Sequence, residues 1–476
     1  MSRSIPPRRI AIIGGGFSGA VLARALIAAT REPLAITIIE PRSSLGGGVA
    51  YSTKEAGHLL NGPAQVFSIH ADKPSHFTDW LAVHVRDNRL ATQDWRDGED
   101  VFVPRRIYGR YIESQLRRAL EDAGDRVAFT HLRARATHVS FEPGHARVWL
   151  AGSSGVDADH VVLATAFPQA RPPFETEALL VNPAYVSNPW DLDAYARFAD
   201  ADRIAIVGSG LTMLDALVSL DRHGFRGEVH VISRRGLSVW ARRGNTAWPD
   251  VLDPQDLPTT ARGLLRQIQS ARRAVASAGA DWQTLPLAIV PHAATIWKSA
   301  DDKERELYLK RLRVFWEITR HRAAPPTSRL ADAWRAAGRL RTRAAHIHAA
   351  TATPDGEITL DLRWRGDTSP REVGFDGLIN CLGAEYDVRR AAERDGLLAN
   401  LLKGGAIRSG PMWLGIDARQ DGGVIGRNGF NPRLSAIGPL LRGVHWESNA
   451  IPEILPQVAV LAKRLSANEE RRRDVA

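Results

Sequence analysis

Sulfur is nearly missing from this chain: its 476 residues include one cysteine and three methionines. The lone Cys381 excludes an intramolecular disulfide and any redox cycle that needs a cysteine pair. It also leaves a structural zinc site without its usual thiolates, and no His-Glu-x-x-His arrangement offers a substitute. His346-Ile347-His348 would point two rings the same way on a strand, but no acidic or cysteine partner follows at ligand spacing. No metal is expected. A serine hydrolase is disfavoured because there is no Gly-x-Ser-x-Gly elbow. Long apolar runs are missing too, none approaching the roughly 20 residues of a membrane span. Residues 10–22 have the length of a signal segment, yet their glycines fall at motif spacing, so a cytoplasmic protein is expected.

Acidic residues are outnumbered, 53 to 63, giving a net charge of +10. The arginines are scattered (Arg105-Arg106, Arg234-Arg235, Arg242-Arg243, Arg471-Arg472-Arg473) with acids mixed among them, so nucleic acid is not the expected partner. A preference for anionic small molecules or dinucleotide phosphates explains the excess more simply. The length is too great for one core, and two or three domains are expected.

What the chain does have is two glycine-rich turns, with Gly14 and Gly208 lying 194 residues apart. Residues 10–13 read as a buried strand, 20–29 as a helix and 34–39 as the next strand. In this context Gly14 allows the tight turn, Gly16 lets a pyrophosphate approach the backbone, and Gly19 lets helix and strand pack closely. Glu40, 21 residues beyond Gly19, is placed to accept hydrogen bonds from ribose hydroxyls. The second turn, Gly208-Ser209-Gly210, repeats the pattern, but Met213 replaces the third glycine and should hold helix and strand further apart. No acid closes its next strand. Ser233-Arg234-Arg235 stands there instead, suited to a 2′-phosphate and favouring NADPH over NADH, unless the arginines only face water.

The expected fold is therefore α/β, with two Rossmann-like dinucleotide-binding domains and a helical elaboration. The first part of one domain spans residues 1–200, the second domain 201–372 with a helical insertion at about 240–330, and residues 373–476 return to the first. The small-residue strand 377–383 is expected to make that return. Two such sites in series suggest a flavoprotein that takes hydride from a second dinucleotide.

Several blocks are candidates for chemistry. Gly46-Gly47-Gly48 implies backbone lying against a ligand, and Asn61 either offers donor and acceptor to a reaction pocket or merely turns the chain. Arg320-His321-Arg322 lines a pocket for an anion or forms a solvated helix end. Gly438 opens a block in which Arg442 binds substrate or a cofactor phosphate. Glu447 and Glu453 read as cap residues near a helix starting at about residue 451, whose positive end suits a site of developing negative charge.

Taken together, Gly14-Gly15-Gly16, Ala50-Tyr51, Leu60-Asn61-Gly62, Trp316-Glu317, Arg320-His321-Arg322 and Arg442-Gly443 with Trp446-Glu447 resemble the FAD/NAD(P)-binding oxidoreductases allied to the ornithine and lysine N-hydroxylases. The resemblance covers most of the chain. It implies FAD on Gly14, Gly16, Gly19, Glu40, Gly48 and Gly438, and NAD(P)H on Gly208, Gly210, Arg234 and Arg235. Asn61, Arg320, His321 and Arg442 would serve the reaction. Two positions depart from the pattern: Ala166 stands where a glycine is usual, and Met213 where a small residue is. The implied activity is a monooxygenase using dioxygen, through a flavin C4a-hydroperoxide, on a small anionic substrate. Urate, hydroxylated at C5 to 5-hydroxyisourate, is the specific expectation. N-hydroxylation of a primary amine, with a carboxylate or amide pair gripping the nitrogen, is one alternative; an FAD/NAD(P)H oxidase or electron-transfer reductase is another.

Overall fold

The structure is a computed structural model that describes residues 6–88, 95–152, 154–244, 247–249, 251–353 and 356–467. The Arg471-Arg472-Arg473 tail lies outside the described residues. Two parallel sheets organise the chain. In the first, strand Arg8–Ile13 runs between Leu34–Ile39 and His160–Leu163, with Val127–Leu132 beyond one side and Gly429–Ala436 and Gly423–Gly426 beyond the other. Its central strands are continuous runs of Ile, Val and Leu because both faces are covered. Helices Phe17–Ala29, Arg105–Ala123 and Ile451–Ala467 contribute to the core on one face. A three-stranded sheet from Ala136–Glu142, His145–Leu150 and Gly155–Ala158 backs the other.

The second sheet runs Tyr185–Val186, Gly377–Asn380, Arg203–Val207, Glu228–Ser233, Leu340–Ala352, Ile358–Trp364 and Arg371–Phe375. Two expected boundaries therefore move. Strand Gly377–Asn380 pairs in parallel with Arg203–Val207, so it completes the second sheet and the return to the first comes later. Tyr185–Val186 already belongs to the second sheet, so the first crossing precedes it rather than falling at residue 200. The physical reason lies in the glycine turns. A Cβ on Gly14 would sit 2.7 Å from the Ala164 carbonyl oxygen, and one on Gly208 would sit 2.5 Å from that of Cys381. Each turn packs against the backbone just past the strand beside it, and the strand Gly377–Asn380 serves the second turn.

The helical elaboration carries its own small core around Val251, Val275, Leu285 and Ile289. Within it, helix Asp302–Leu307, a π-helical turn Tyr308–Leu312 and helix Arg313–Arg320 follow one another. Met213 is fully buried, so its helix leaves room for a side chain where a Cβ on Gly19 would meet the Gly14 carbonyl oxygen at 2.0 Å.

A buried clasp joins the two lobes. Arg105, opening helix Arg105–Ala123, donates from Nε to the Leu59 carbonyl oxygen at 3.0 Å and pairs with Asp215 through Nη1 at 2.9 Å and Nη2 at 3.2 Å. Asp215 lies on helix Leu211–Arg222, directly after the second glycine turn. His58, fully buried, reaches the Asp215 carbonyl oxygen and Ser219 Oγ at 3.0 Å each. Burial first, and Arg105 among its neighbours, hold His58 below the usual imidazole range, so it bonds as a neutral ring. Gly57 is required here, since a Cβ would lie 2.6 Å from Val218 Cγ1. Asp215→Ala leaves the Arg105 charge buried without its partner and should cost about 3 kcal/mol. The double variant Arg105→Met/Asp215→Leu should recover most of that in urea unfolding; equal losses in both would contradict a buried-charge origin.

Candidate functional site

The site begins at the first glycine turn. Helix Phe17–Ala29 starts at Gly16 with no side-chain cap and no acid in its first turn, so its leading N–H groups are available to an anion. The turn is packed against the second glycine run: Gly46 N–H donates to the Gly15 carbonyl oxygen at 2.8 Å, and a Cβ on Gly48 would stand 3.0 Å from Gly16 Cα. Glu40, 5% exposed, accepts from Gly15 N–H and Arg42 N–H at 3.0 Å each and thereby shapes the turn. Gly438, at φ +77°, abuts Ser18 of the same helix start. This uncapped helix start, ringed by side-chain-free backbone and backed by a carboxylate, fits the pyrophosphate and ribose of a dinucleotide.

Between the lobes lies a cleft of about 1070 Å³. Tyr51, Asn61 and Arg105 line it from the first lobe, and Ser209, Gly210 and Thr212 from the second turn. Asn61, Arg320, His321 and Arg442, widely separated in sequence, all share its wall. Arg234 and Arg235 do not. Arg234 is exposed at the end of strand Glu228–Ser233, while Arg235 reaches the Lys310 carbonyl oxygen at 3.3 Å and lies over Phe315.

Sequence reasoning missed how far the acids dominate this wall. Arg442, 1% exposed, donates to Glu317 and Asn449 at 2.9 Å each, with its guanidinium 4.1 Å from the Trp446 ring centre. Arg320 donates to Glu453 at 2.8 Å. His321 Nε2 stands 3.1 Å from Glu317 Oε2 and 3.9 Å from Glu447 Oε2. Trp316 Nε1 donates to Glu447 Oε1 at 2.6 Å. The basic residues read as anion ligands are thus largely engaged by carboxylates. Burial pushes Glu317 up, yet His321, Arg442 and Arg313 outweigh it and hold the carboxyl well below the usual range. Glu453 goes the other way, raised by burial and by Glu447 against the pull of Arg320. Among the described residues, Glu447 Oε2 and Glu453 Oε2 are buried without a hydrogen-bond partner. Such atoms need a ligand or water to complete them. The sequence signal for Glu317 and Glu447 was their adjacency to Trp316 and Trp446, and Glu453 had only its place near a helix start.

Cys381 is buried on the second sheet, and burial pushes its thiol up, away from reactivity. The His346 and His348 rings lie 4.5 Å apart, and among the described residues no group of three or more metal-ligating side chains is brought together. No helix among the described residues is long and apolar enough to cross a membrane.

Comparison with known proteins agrees with this architecture. Residues 11–168 match a family model described as FAD-NAD(P)-binding, so the leading part of the chain is an FAD-NAD(P)-binding domain. No curated protein sequence matches the chain. Among solved structures, an ornithine N-hydroxylase of Kutzneria sp. 744 superposes with a TM-score of 0.64 at 15% identity, covering 98% of this chain and 100% of that one. A cadaverine monooxygenase of Erwinia amylovora gives 0.64 at 13% identity, covering 97% and 95%. An L-lysine 6-monooxygenase of Pseudomonas syringae gives 0.62 at 17%, covering 98% and 99%. At such identities the likeness is one of fold, that of two dinucleotide-binding domains.

Because the folded Glu317 carboxyl is depressed, its stabilising contribution is complete above the ordinary carboxylate range and is lost as pH falls through its folded value. Glu317→Gln should therefore be less stable than the parent at neutral pH, with the gap narrowing in acid. A gap that widens in acid, read by urea unfolding at several pH values, would contradict the assignment.

Proposed function

We propose that this chain is an FAD- and NAD(P)H-dependent monooxygenase that hydroxylates the nitrogen of a small primary amine. The carrying observation is the pair of buried carboxylate oxygens, Glu447 Oε2 and Glu453 Oε2, which have no hydrogen-bond partner among the described residues and belong to groups in the wall of the cleft between the lobes. A cationic amine supplies the N–H donors they lack. Solved structures of like fold, among them ornithine, lysine and cadaverine monooxygenases, support the same reading. Support for urate is weaker, because an anion beside these carboxylates would meet like charge.

FAD would be held by the turn Gly14–Gly19 with Glu40, Gly48 and Gly438, and the nicotinamide dinucleotide by Gly208 and Gly210. When bound, FAD carries two electrons from the nicotinamide to dioxygen, one oxygen atom going to substrate nitrogen and the other to water. The chain's own part is to orient and deprotonate. The amine must lose a proton before its lone pair can act as nucleophile. Glu453, its carboxyl raised by burial and by Glu447, takes that proton at Oε2. Glu447 keeps its hold on a remaining N–H at Oε2, with Trp316 fixing its carboxylate through Oε1. Asn61 faces the same space. The clasp and the covering helices limit water, which protects the oxygenation step from waste as peroxide.

Cadaverine, ornithine, lysine and urate should be compared for NADPH oxidation and product. At least one amine should yield a hydroxylamine. Urate conversion to 5-hydroxyisourate, or peroxide alone with every amine, would overturn the assignment. Glu453→Gln should lower kcat by about two orders of magnitude, the range of a general base, and remove the acid limb of the pH profile. NADPH should be preferred over NADH through exposed Arg234. Arg234→Ala should raise KM for NADPH alone; an equal rise for both nicotinamides would contradict a 2′-phosphate role.

A further inference from the structure

The cleft has a second polar region whose charges the amine reading does not use. Arg322 belongs to the cleft wall and is 1% exposed. Its Nη1 donates to the Gln283 carbonyl oxygen at 3.2 Å and to Gln283 Oε1 at 3.0 Å, whereas Nε and Nη2 have no hydrogen-bond partner. Asp281, the acid whose charge reaches Arg322, is itself paired with Arg243 at 2.9 Å. Among the described residues two donors of this guanidinium are unspent and no carboxylate is hydrogen-bonded to it, and a cation so buried is costly unless an anion completes it.

The backbone forces further positive charge into the same place. Ala241 and Ala323 form a parallel bridge: Ala323 N–H donates to the Trp240 carbonyl oxygen and Arg242 N–H to the Ala323 carbonyl oxygen, each at 2.8 Å. Arg242 and Arg322 therefore extend from paired segments. Gln283, 1% exposed, ties them by donating to the Ala241 carbonyl oxygen and accepting from Arg243 N–H and Arg322. Arg320 is the third guanidinium, with one Nη group on Glu453 and Nε without a partner. Burial first, then Arg242 and Arg320, push Arg322 down to about 9, and burial first, then Arg320, push Arg242 down to about 10 against the pull of Asp100. Both remain cations at neutral pH. Like charges stitched together in this way are unfavourable for folding alone.

We infer that Arg242, Arg320 and Arg322 form an oxyanion subsite in the cleft, taking a carboxylate or phosphate group on Arg322 Nε and Nη2. A guanidinium edge presenting two parallel N–H groups matches the two oxygens of such an anion. Two sources bring that chemistry. One is a phosphate of the nicotinamide dinucleotide, whose helix start at Ser209 to Thr212 opens on the same cleft. The other is a carboxylate on the substrate. The subsite is independent of the amine chemistry, because anion binding is read without turnover.

Titration calorimetry on the FAD-loaded, full-length protein tests it, with sodium pyrophosphate, glutarate and NADP⁺ as separate probes. The parent should bind pyrophosphate or glutarate, and Arg322→Gln should weaken that binding by about tenfold or more, the worth of a charge-assisted hydrogen bond. Arg242→Gln should weaken it as well. If NADP⁺ affinity falls with pyrophosphate affinity, the dinucleotide is the source. If NADP⁺ affinity holds while glutarate binding is lost, a substrate carboxylate is the source. Because Arg322→Gln removes an uncompensated charge, its thermal midpoint without added anion should match or exceed that of the parent, and pyrophosphate should raise the midpoint of the parent alone. A parent that binds neither anion, or variants that bind as tightly as the parent, would overturn the subsite.

Discussion

A central contact between the two nucleotide lobes is the Arg105–Asp215 ion pair, nearly closed off from solvent. Arg105 begins the helix that covers the first sheet, and Asp215 lies on the helix that the second glycine turn initiates. A displacement of one lobe would break a two-point pair in a low-dielectric setting, where an abandoned charge is expensive. His58 and Ser219 extend the same contact to the loop that leads directly into Asn61. The cleft is thus the space left when two glycine turns are held at a set angle, and its chemistry comes from what lines that space.

That lining is divided by charge. Around Glu317, Glu447 and Glu453 the positive groups are spent on carboxylates, and two carboxylate oxygens remain open. Around Arg242 and Arg322 the balance reverses. A cleft of this kind selects by polarity along its length, because a cation is stabilised at one region and repelled from the other. The Glu453 carboxyl shows the consequence in its own titration: burial and Glu447 raise it, which makes it a better proton acceptor than an exposed carboxylate.

Much of this was readable in the residue order. Glycines at turn spacing, flanked by apolar strands and a helix and followed by Glu40, can hardly be anything but a nucleotide turn, because each residue has a steric or electrostatic reason to be there. Asn61, Arg320, His321 and Arg442, each read separately as a candidate for chemistry, line one cleft. What stayed hidden depends on contacts between distant segments. Arg442 and Arg320 were read as anion ligands because Glu317, 125 residues away from Arg442, and Glu453, 133 residues from Arg320, give no local sign of pairing. Glu447 and Glu453 looked like caps because a carboxylate near a helix start normally is one. Strand Gly377–Asn380 was assigned to the first lobe because a small-residue strand beside a glycine turn has the same composition in either sheet. The Arg105–Asp215 clasp had no signature at all, since a single arginine and a single aspartate carry none.

The central claim is that one cleft passes electrons from a dinucleotide on the second turn to a flavin on the first. Anaerobic stopped-flow mixing of the purified, FAD-loaded protein with NADPH tests it most directly. The flavin absorbance should bleach in a single fast phase, and Asp215→Asn should slow that phase while FAD stays bound. A protein that retains no FAD, or whose FAD is not reduced by NADPH or NADH, would contradict the account.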